Sequence, residues 1–179
     1  MVKASRTPLA AINNSWRLCP GGPDVLYGCD WEWWEAHDGV PGFQGLRLTI
    51  STAAAKVWGA RLVRHRDVMV MSDTPAWIGT GGNGGFQMLN FAALAGARRV
   101  LLTGFDMQAT GGRTHWHGNH TAPRLNNPDH DAFRQWRSRL AAAAPVLARL
   151  GCEVINCSRD TALTCFPRAR LEDMLCGSR

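Results

Sequence analysis

The feature that most constrains this fold is a glycine-rich loop followed by an apolar helical segment and a short apolar strand. Residues 79–85 read Gly-Thr-Gly-Gly-Asn-Gly-Gly, residues 86–95 have the composition of a buried helix, and Gly96 stands where a helix commonly ends. Residues 99–103 have the apolar character of a parallel strand that is buried on both faces. Parallel strands joined by a helix need a right-handed crossover. The pattern therefore predicts an α/β fold.

Strands and helices alternate along the rest of the chain. Strands are predicted at residues 9–13, 24–29, 46–50, 60–63, 68–71 and 153–156, and helices at residues 31–37, 128–150 and 168–175. Asp30 and Asn127 are the predicted N-caps, and Pro145 is expected to interrupt and kink the long helix. We predict one three-layer, Rossmann-like domain over residues 1–179, with a mostly parallel central sheet and residues 99–103 at its centre.

Composition excludes several classes of protein. The chain has 179 residues, of which 45% are hydrophobic, and its eight Trp and six Phe are too many for a disordered chain. It contains no apolar stretch of the length that a membrane span needs, and its first residues lack the apolar core of a signal peptide, so we expect a cytoplasmic location. The six cysteines form no C-x-x-C pair and are expected to be reduced.

The net charge of +6 depends on arginine, since 18 Arg stand against two Lys. Arginine suits phosphate and carboxylate recognition. The basic residues are spread along the chain rather than clustered, which disfavours a dedicated nucleic-acid module. We therefore expect a small-molecule partner rather than nucleic acid or a membrane, and the sequence leaves the oligomeric state, including a homo-oligomer, open.

The first candidate site is the glycine-rich loop. Gly79, Gly81 and Gly84 satisfy the pattern G-x-G-x-x-G, and Asp106 follows at a distance near that of a ribose-binding acid. Backbone N–H groups at a helix N-terminus can bind a phosphate. The short preceding strand, residues 76–78, and the mid-chain position disfavour a dinucleotide site. Two interpretations stay open: an anion or nucleotide loop, or a tight turn that needs glycine. The candidate binding residues are Gly81, Gly82, Asn83, Gly84 and Gly85.

The second candidate site is a histidine cluster in the loop after residues 99–103. His115, His117 and His120 have the spacing H-x-H-x-x-H, which is similar to the zinc loop of the metallo-β-lactamase family. In that family an Asp would take the place of Asn119, and the order of helices and strands does not match. Three interpretations stay open: a divalent metal site formed by these three residues, a metal-free general base or phosphate ligand, and histidines that serve only loop structure.

Single polar and aromatic residues are weaker candidates. Asp106, directly after a predicted strand, either positions a hydroxyl, a metal or a histidine, or caps the next turn. The asparagines near strand ends, which suit a base or ribose but are also common in turns, are Asn13, Asn14 and Asn156. The clustered tryptophans, which we expect to pack in the core rather than to stack on a sugar, are Trp31, Trp33 and Trp34.

Three segments carry a resemblance to a known family. They are Gly-Gly-Asn-Gly-Gly-Phe-Gln-Met-Leu-Asn at 81–90, Gly-Ala-Arg-Arg-Val-Leu-Leu-Thr-Gly-Phe-Asp-Met at 96–107, and Gly-Gly-Arg-Thr-His-Trp-His-Gly-Asn-His at 111–120. Together they resemble a family of small proteins encoded by tailed phages and prophages. Residues 24–34 and 154–167 fit the same pattern, so the resemblance covers nearly the whole chain.

More distantly, the chain is similar to bacterial lipooligosaccharide sialyltransferases and to the motility-accessory-factor and hydroxymethylpterin-pyrophosphokinase-like group. Those proteins share a Rossmann-like core, and the sialyltransferases bind a cytidine nucleotide-sugar and use a histidine as general base. The resemblance implies a nucleotide loop at Asn83, Gly84 and Gly85, a nucleotide-contacting residue at Asn13, and a base at His120, with His117 second. Asn156 and Ser158, in another matching segment, complete the expected nucleotide-binding set.

The chain departs from these families at identifiable positions. Gly84 stands where a serine is usual, and Asn119 stands where the phage family tends to carry Asp. The distant relatives usually begin with a strand and a Gly-Pro-Ser-type loop that helps to hold the donor phosphates, and we expect this chain to begin after that loop.

The predicted function is therefore that of a phage- or prophage-encoded, nucleotide-sugar-binding, glycosyltransferase-like protein. His120 would be its general base, with His117 and Asp106 as further catalytic residues, and the donor would be a cytidine nucleotide-sugar. One alternative is a metal-dependent hydrolase that uses the histidine loop and Asp106. The other is a non-catalytic structural or assembly-associated phage protein with a degenerate Rossmann fold.

Overall fold

The computed structural model of this protein describes residues 7–120 and 124–176. Residues 1–6, on which much of the expectation about a signal peptide depends, lie outside that part. Contacts divide the chain into two compact units, one within Met1–His65 and His120–Asn126, the other within Arg66–Asn119 and Asn127–Arg179. Both units combine helices with strands, so the α/β class is confirmed. That residues 1–179 form one domain stays a prediction.

The first unit contains a parallel sheet of four strands that lie side by side in chain order. The strands are β1 (Ala10–Ile12), β2 (Val25–Tyr27), β3 (Leu46–Thr49) and β4 (Arg61–Leu62). A 3-10 helix (Asn13–Leu18) follows β1, α1 (Trp31–Ala36) follows β2, and α2 (Thr52–Trp58) follows β3. Parallel neighbours need such crossover connections, and the crossovers align the carboxyl ends of all four strands along one edge of the sheet.

Tryptophan dominates the core of the first unit. Trp33 and Trp34 are almost completely buried, together with Leu26 and Leu48. The indole Nε1 of Trp34 donates to the carbonyl of Gly28 at 2.9 Å, and Nε1 of Trp33 donates to Oδ1 of Asn14 at 2.9 Å. Trp31 is half-buried against Trp58, with ring centroids 4.7 Å apart. All three tryptophans therefore pack against the chain, as the sequence predicts.

The second unit is built around helices. β5 (His65–Arg66) pairs with β6 (Ile78–Gly79), and β7 (Arg99–Leu102) pairs in parallel with β8 (Glu153–Asn156). The helices are α3 (Gly84–Leu94), α4 (His130–Arg149) and α5 (Leu171–Cys176). The residues of α3, α4, β7 and β8 that form its buried core are Phe86, Leu89, Ala93, Leu102, Leu140, Ala143, Leu147 and Val154.

The sheet arrangement confirms part of the prediction for residues 99–103. β7 pairs in parallel with β8, as expected. Within residues 7–120 and 124–176 the strands belong to three sheets and not to one continuous sheet. The central position of residues 99–103 and the three-layer arrangement stay predictions.

Some predicted elements were wrong in detail. Residues 68–71 do not form a strand, because the N–H of Val68 bonds back to the carbonyl of Arg66 at 2.8 Å and turns the chain directly after β5. The N-cap of α4 is Asp129 and not Asn127, since the Asp129 carboxylate accepts from the N–H of Ala132 at 2.7 Å. α4 continues through Pro145 instead of being interrupted there. The helix α2 was missed.

Two further observations concern the predicted location and the cysteines. In the part of the chain that the structure describes, no helix combines the length and apolar character needed to cross a membrane. The five cysteines whose side chains are described are free thiols: Cys19, Cys29, Cys152, Cys157 and Cys165. The side chain of Cys176 lies outside the described part.

Candidate functional site

The glycine-rich loop joins β6 to α3 through two residues in the left-handed region. Gly81 has φ +54° and Gly82 has φ +66°. A Cβ on Gly81 would lie 2.3 Å from Cδ1 of Phe86, so no larger residue fits there without movement. Asn83 is the N-cap of α3, because its Oδ1 accepts from the N–H of Phe86 at 3.0 Å. Gly85 is buried, and a Cβ there would come within 2.8 Å of the Phe105 ring.

Buried polar side chains hold this loop. Nε2 of Gln87 donates to the carbonyl of Thr80 at 2.9 Å, and Oγ1 of Thr80 donates to Oδ1 of Asp67 at 2.9 Å. Asn90, one turn further along α3, accepts from the N–H of Gly79 at 3.0 Å. Hydrogen bonds therefore hold the loop before Gly81, at Gly79 and Thr80, and after it, at Asn83. They give the loop a defined shape before any ligand binds.

Arg139 of α4 brings a positive charge to the loop. Its NH1 donates to the carbonyl of Gly81 at 2.9 Å, and its NH2 donates to Oε1 of Gln135 at 2.8 Å. A Cβ on Gly82 would lie 2.5 Å from NH1, so the guanidinium lies directly against that glycine. None of the ion pairs found among residues 7–120 and 124–176 includes Arg139. A guanidinium without a carboxylate at a helix N-terminus attracts anions.

Asn156 and Ser158 shape the turn after β8. Asn156 is completely buried, and its Nδ2 lies 3.2 Å from both Oγ1 of Thr161 and the carbonyl of Leu163. Its Oδ1 accepts from the N–H of Ser158 at 3.0 Å, and Oγ of Ser158 accepts from the N–H of Phe105 at 2.8 Å. Both predicted nucleotide ligands therefore bond within the chain and link the ends of β7 and β8.

Asp106 is a half-buried carboxylate directly after the turn at the end of β7. Burial raises the pKa of Asp106, and the nearby charge of Asp160 raises it further. Oδ1 of Asp160 accepts from Nε2 of Gln108 at 3.3 Å. The folded protein thus holds Asp106 in a place that disfavours its ionised form, which is common at functional sites.

We expect Asp106→Asn to raise the melting temperature at pH 7 by about 1–2 °C, because the substitution removes a carboxylate whose charged form is disfavoured by burial. The expected gain is small because solvent screens a half-exposed carboxylate. A raised pKa stabilises the fold when the group is protonated, and this stabilisation is lost as the pH rises through the folded pKa. The gain from the substitution should therefore shrink as the pH falls towards the ordinary value of 3.8. Thermal unfolding followed at pH 7 and at lower pH measures both effects. Asp131→Asn, at an exposed ion pair with Arg134, is the control, and an equal or lower melting temperature for Asp106→Asn at pH 7 would contradict the expectation.

The histidine loop, residues 113–120, contains a tight turn. The N–H of Gly118 donates to the carbonyl of His115 at 3.1 Å, and Gly118 has φ +84°. The rings of His115 and His117 are stacked, with centroids 5.1 Å apart and planes 5° from parallel. One ring nitrogen from each of His115, His117 and His120 lies within 4.8 Å of the others. Two of the three imidazoles that the sequence singled out, His115 and His117, thus lie side by side in the second unit, and His120 belongs to the first unit.

His120 is half-buried, and burial lowers the pKa of its imidazole, with a smaller contribution from His37. His37 stacks on the ring of Trp33 with centroids 4.6 Å apart, and its Nδ1 lies 2.8 Å from the Trp33 carbonyl. A lowered pKa favours the neutral imidazole, the form that accepts a proton or binds a metal. The electrostatics of His120 therefore suit either chemistry predicted for it.

Asn13 is the predicted nucleotide ligand with an unfilled bonding position. It begins the 3-10 helix with φ +48°, a strained value for a residue other than glycine, and its buried Oδ1 has no hydrogen-bond partner among the residues that the structure describes. Asn14 differs, since its Oδ1 accepts from Nε1 of Trp33.

Sequence reasoning missed Arg139, because nothing in the pattern of α4 marks which of its arginines reaches the glycine-rich loop.

Comparisons with protein-family models, with curated proteins and with solved structures find no match to this chain. The fold and the sites define the class as an α/β protein with a glycine-rich loop at a helix N-terminus and a loop that contains three histidines. The resemblance to the phage family and to the sialyltransferases stays a prediction.

Proposed function

We propose that this protein binds a nucleotide-sugar and belongs to the glycosyltransferase-like, Rossmann-like proteins that its sequence resembles. The observation that carries the proposal is the Arg139 guanidinium, which donates to the Gly81 carbonyl beside the N-terminus of α3. A phosphate is the ligand group that this combination of charge and helix dipole recognises best. The three-layer arrangement, a phage or prophage origin and a cytoplasmic location belong to the same proposal.

The backbone donors at the start of α3 also suit a phosphate. The side chain of Asn83 accepts from the N–H of Phe86, and its carbonyl accepts from the N–H of Gln87 at 3.1 Å. Among the described residues, this leaves the N–H groups of Gly84 and Gly85 for an anion. Gly84 has no side chain to cover them, so a phosphate can approach the backbone closely.

The histidine loop would supply acceptor activation in the proposed transfer. An acceptor hydroxyl oxygen bonds to the anomeric carbon of the donor sugar, and the bond from that carbon to the phosphate oxygen breaks. The hydroxyl proton must leave during this step, and the resemblance assigns its removal to His120, with His117 second. Burial lowers the pKa of His120 and so favours the imidazole form that can accept a proton, which supports that assignment.

We expect cytidine monophosphate or a nucleoside diphosphate to protect the amides of residues 81–86 from hydrogen exchange. Arg139→Met should weaken nucleotide affinity about 10- to 100-fold, because a hydrogen bond to a charged group contributes about 1.5–3 kcal/mol. Arg134→Met is the matched control, since Arg134 lies on the same helix and its partner is Asp131. Isothermal titration calorimetry measures both affinities.

Two outcomes would contradict the proposal: no nucleotide protects residues 81–86, or both arginine variants weaken binding equally. Absent protection would favour the non-catalytic phage protein instead. Inorganic phosphate is titrated in parallel, because tight binding of phosphate with no preference for a nucleotide would indicate a simple anion site.

A metal-dependent hydrolase is the second candidate, and the H-x-H-x-x-H spacing of His115, His117 and His120 in the sequence favours it. A hydrolytic metal site commonly needs a carboxylate that orients the attacking water. Asn119 stands in the histidine loop where that carboxylate would be. We therefore rank transfer to an acceptor hydroxyl above hydrolysis.

A further inference from the structure

An exposed apolar segment of the second unit, residues 68–71, has no role in the fold described so far. Met69 and Val70 leave 43% and 62% of their surface accessible. The segment has the apolar character of a strand, but it forms none, so its apolar side chains do not serve a sheet. Ligand sites combine apolar side chains with a few polar groups. The place of this segment in the second unit therefore decides what it can bind.

The backbone on both sides of Met69 is held against the glycine-rich loop. The residue before it, Val68, accepts at its carbonyl from the N–H of Gly81 at 3.1 Å. The residue after it, Val70, lies so close that its carbonyl oxygen would collide with a Cβ on Gly79. Met69 therefore has a fixed position beside the loop.

The side chains of Met69 and Arg139 meet at Gly82. From the position that a Cβ on Gly82 would take, NH1 of Arg139 is 2.5 Å away and Sδ of Met69 is 3.9 Å away. Both groups thus lie on the same side of Gly82, and the missing side chain of this glycine leaves room for them. The pair offers a cation and an apolar thioether next to each other. A ligand with an anionic group and a flat apolar group nearby matches it.

We propose that Met69 packs against the base of the nucleotide whose phosphate Arg139 attracts, and that this contact makes the site prefer a nucleoside phosphate to inorganic phosphate. The inference rests on the proposed function and deepens it, since it names the residue that recognises the nucleoside. One ribose joins the phosphate to the base, so the base lies close to the group that binds the phosphate. A thioether makes favourable contacts with aromatic rings, and every base has such a face.

Isothermal titration calorimetry with cytidine monophosphate, ribose 5-phosphate and inorganic phosphate tests this role. Met69→Ala should weaken binding of cytidine monophosphate about 3- to 10-fold, the range for a contact between sulfur and an aromatic ring. The affinities for ribose 5-phosphate and inorganic phosphate should not change, because neither ligand has a base. Met69→Leu is the matched control, since leucine keeps an apolar side chain of similar size and should retain most of the affinity for cytidine monophosphate. Met69 is exposed, so both variants should fold.

Arg139→Met should give the opposite pattern and weaken all three ligands, because each of them carries the phosphate. Three results would overturn the role of Met69 alone: Met69→Ala binds cytidine monophosphate like the unaltered protein, it weakens all three ligands equally, or Met69→Leu loses as much affinity as Met69→Ala. If the unaltered protein does not bind cytidine monophosphate more tightly than inorganic phosphate, the proposed function fails together with this inference.

Discussion

Replacing Asn90 by leucine is expected to destabilise the protein by about 3–5 kcal/mol. Asn90 is completely buried, and its Oδ1 accepts from the N–H groups of Ser72 and Gly79, both at 3.0 Å. Its Nδ2 donates to the carbonyl of Ser72 at 2.8 Å. Leucine has a similar volume but leaves three buried backbone groups unpaired, and each unpaired group costs about 1–3 kcal/mol before relaxation.

The same substitution should weaken nucleotide binding, because Gly79 ends β6 and is the first residue of the glycine-rich loop. Urea unfolding followed by far-ultraviolet circular dichroism measures the change in stability. Asn126→Leu is the control: Asn126 is exposed, and the change should stay within about 0.5 kcal/mol. A loss below about 1 kcal/mol for Asn90→Leu would show that the bonds of Asn90 are replaced by others after the substitution.

Trp34→Ala should cost about 3–5 kcal/mol, the range for removing a large aromatic side chain from a core. Trp34 is completely buried, its ring meets that of Trp33 edge to face at a centroid distance of 5.0 Å, and its Nε1 donates to the Gly28 carbonyl. The substitution removes all three interactions and leaves a cavity between α1 and the segment after β2.

Trp116→Ala tests whether that effect depends on burial. The side chain of Trp116 is 49% exposed, so its removal should change the free energy of unfolding by less than about 1 kcal/mol. Both variants are unfolded in urea and followed by circular dichroism, since each loses a fluorophore. Similar losses for Trp34→Ala and Trp116→Ala would contradict the assignment of Trp34 to the core.

Local signals predicted the ends of helices well. Gly96 was expected to end α3, and it lies at φ +89° with Ala97 N–H donating to the Ala92 carbonyl at 3.0 Å. Gly151 ends α4 in the same way, with φ +70° and Cys152 N–H donating to the Leu147 carbonyl at 3.0 Å. Both are Schellman motifs, which need only a glycine that accepts positive φ after the last helical turn. Such a signal is contained in a few adjacent residues.

Competing local signals were harder to rank. Asn127 followed by Pro128 has the pattern of a helix start, but Asp129 takes the cap because its carboxylate reaches the N–H of Ala132. Residues 68–71 have the apolar character of a strand, yet the chain turns immediately after Arg66. A strand forms only where a partner strand offers its backbone groups, and a single sequence does not show where that partner lies.

For the candidate sites, the sequence by itself determined the short-range features. The glycines that give the loop before α3 its positive φ and the histidines of residues 115–120 are close neighbours in the chain, so their residue types and spacing already indicated a loop and a cluster. Only the tertiary structure decided that Arg139 of α4 reaches Gly81, 58 residues away, and that Asn156 and Ser158 bond within the chain. The physical reason is that the packing of helices and strands chooses the partners of these long-range hydrogen bonds, and that packing depends on the whole chain at once.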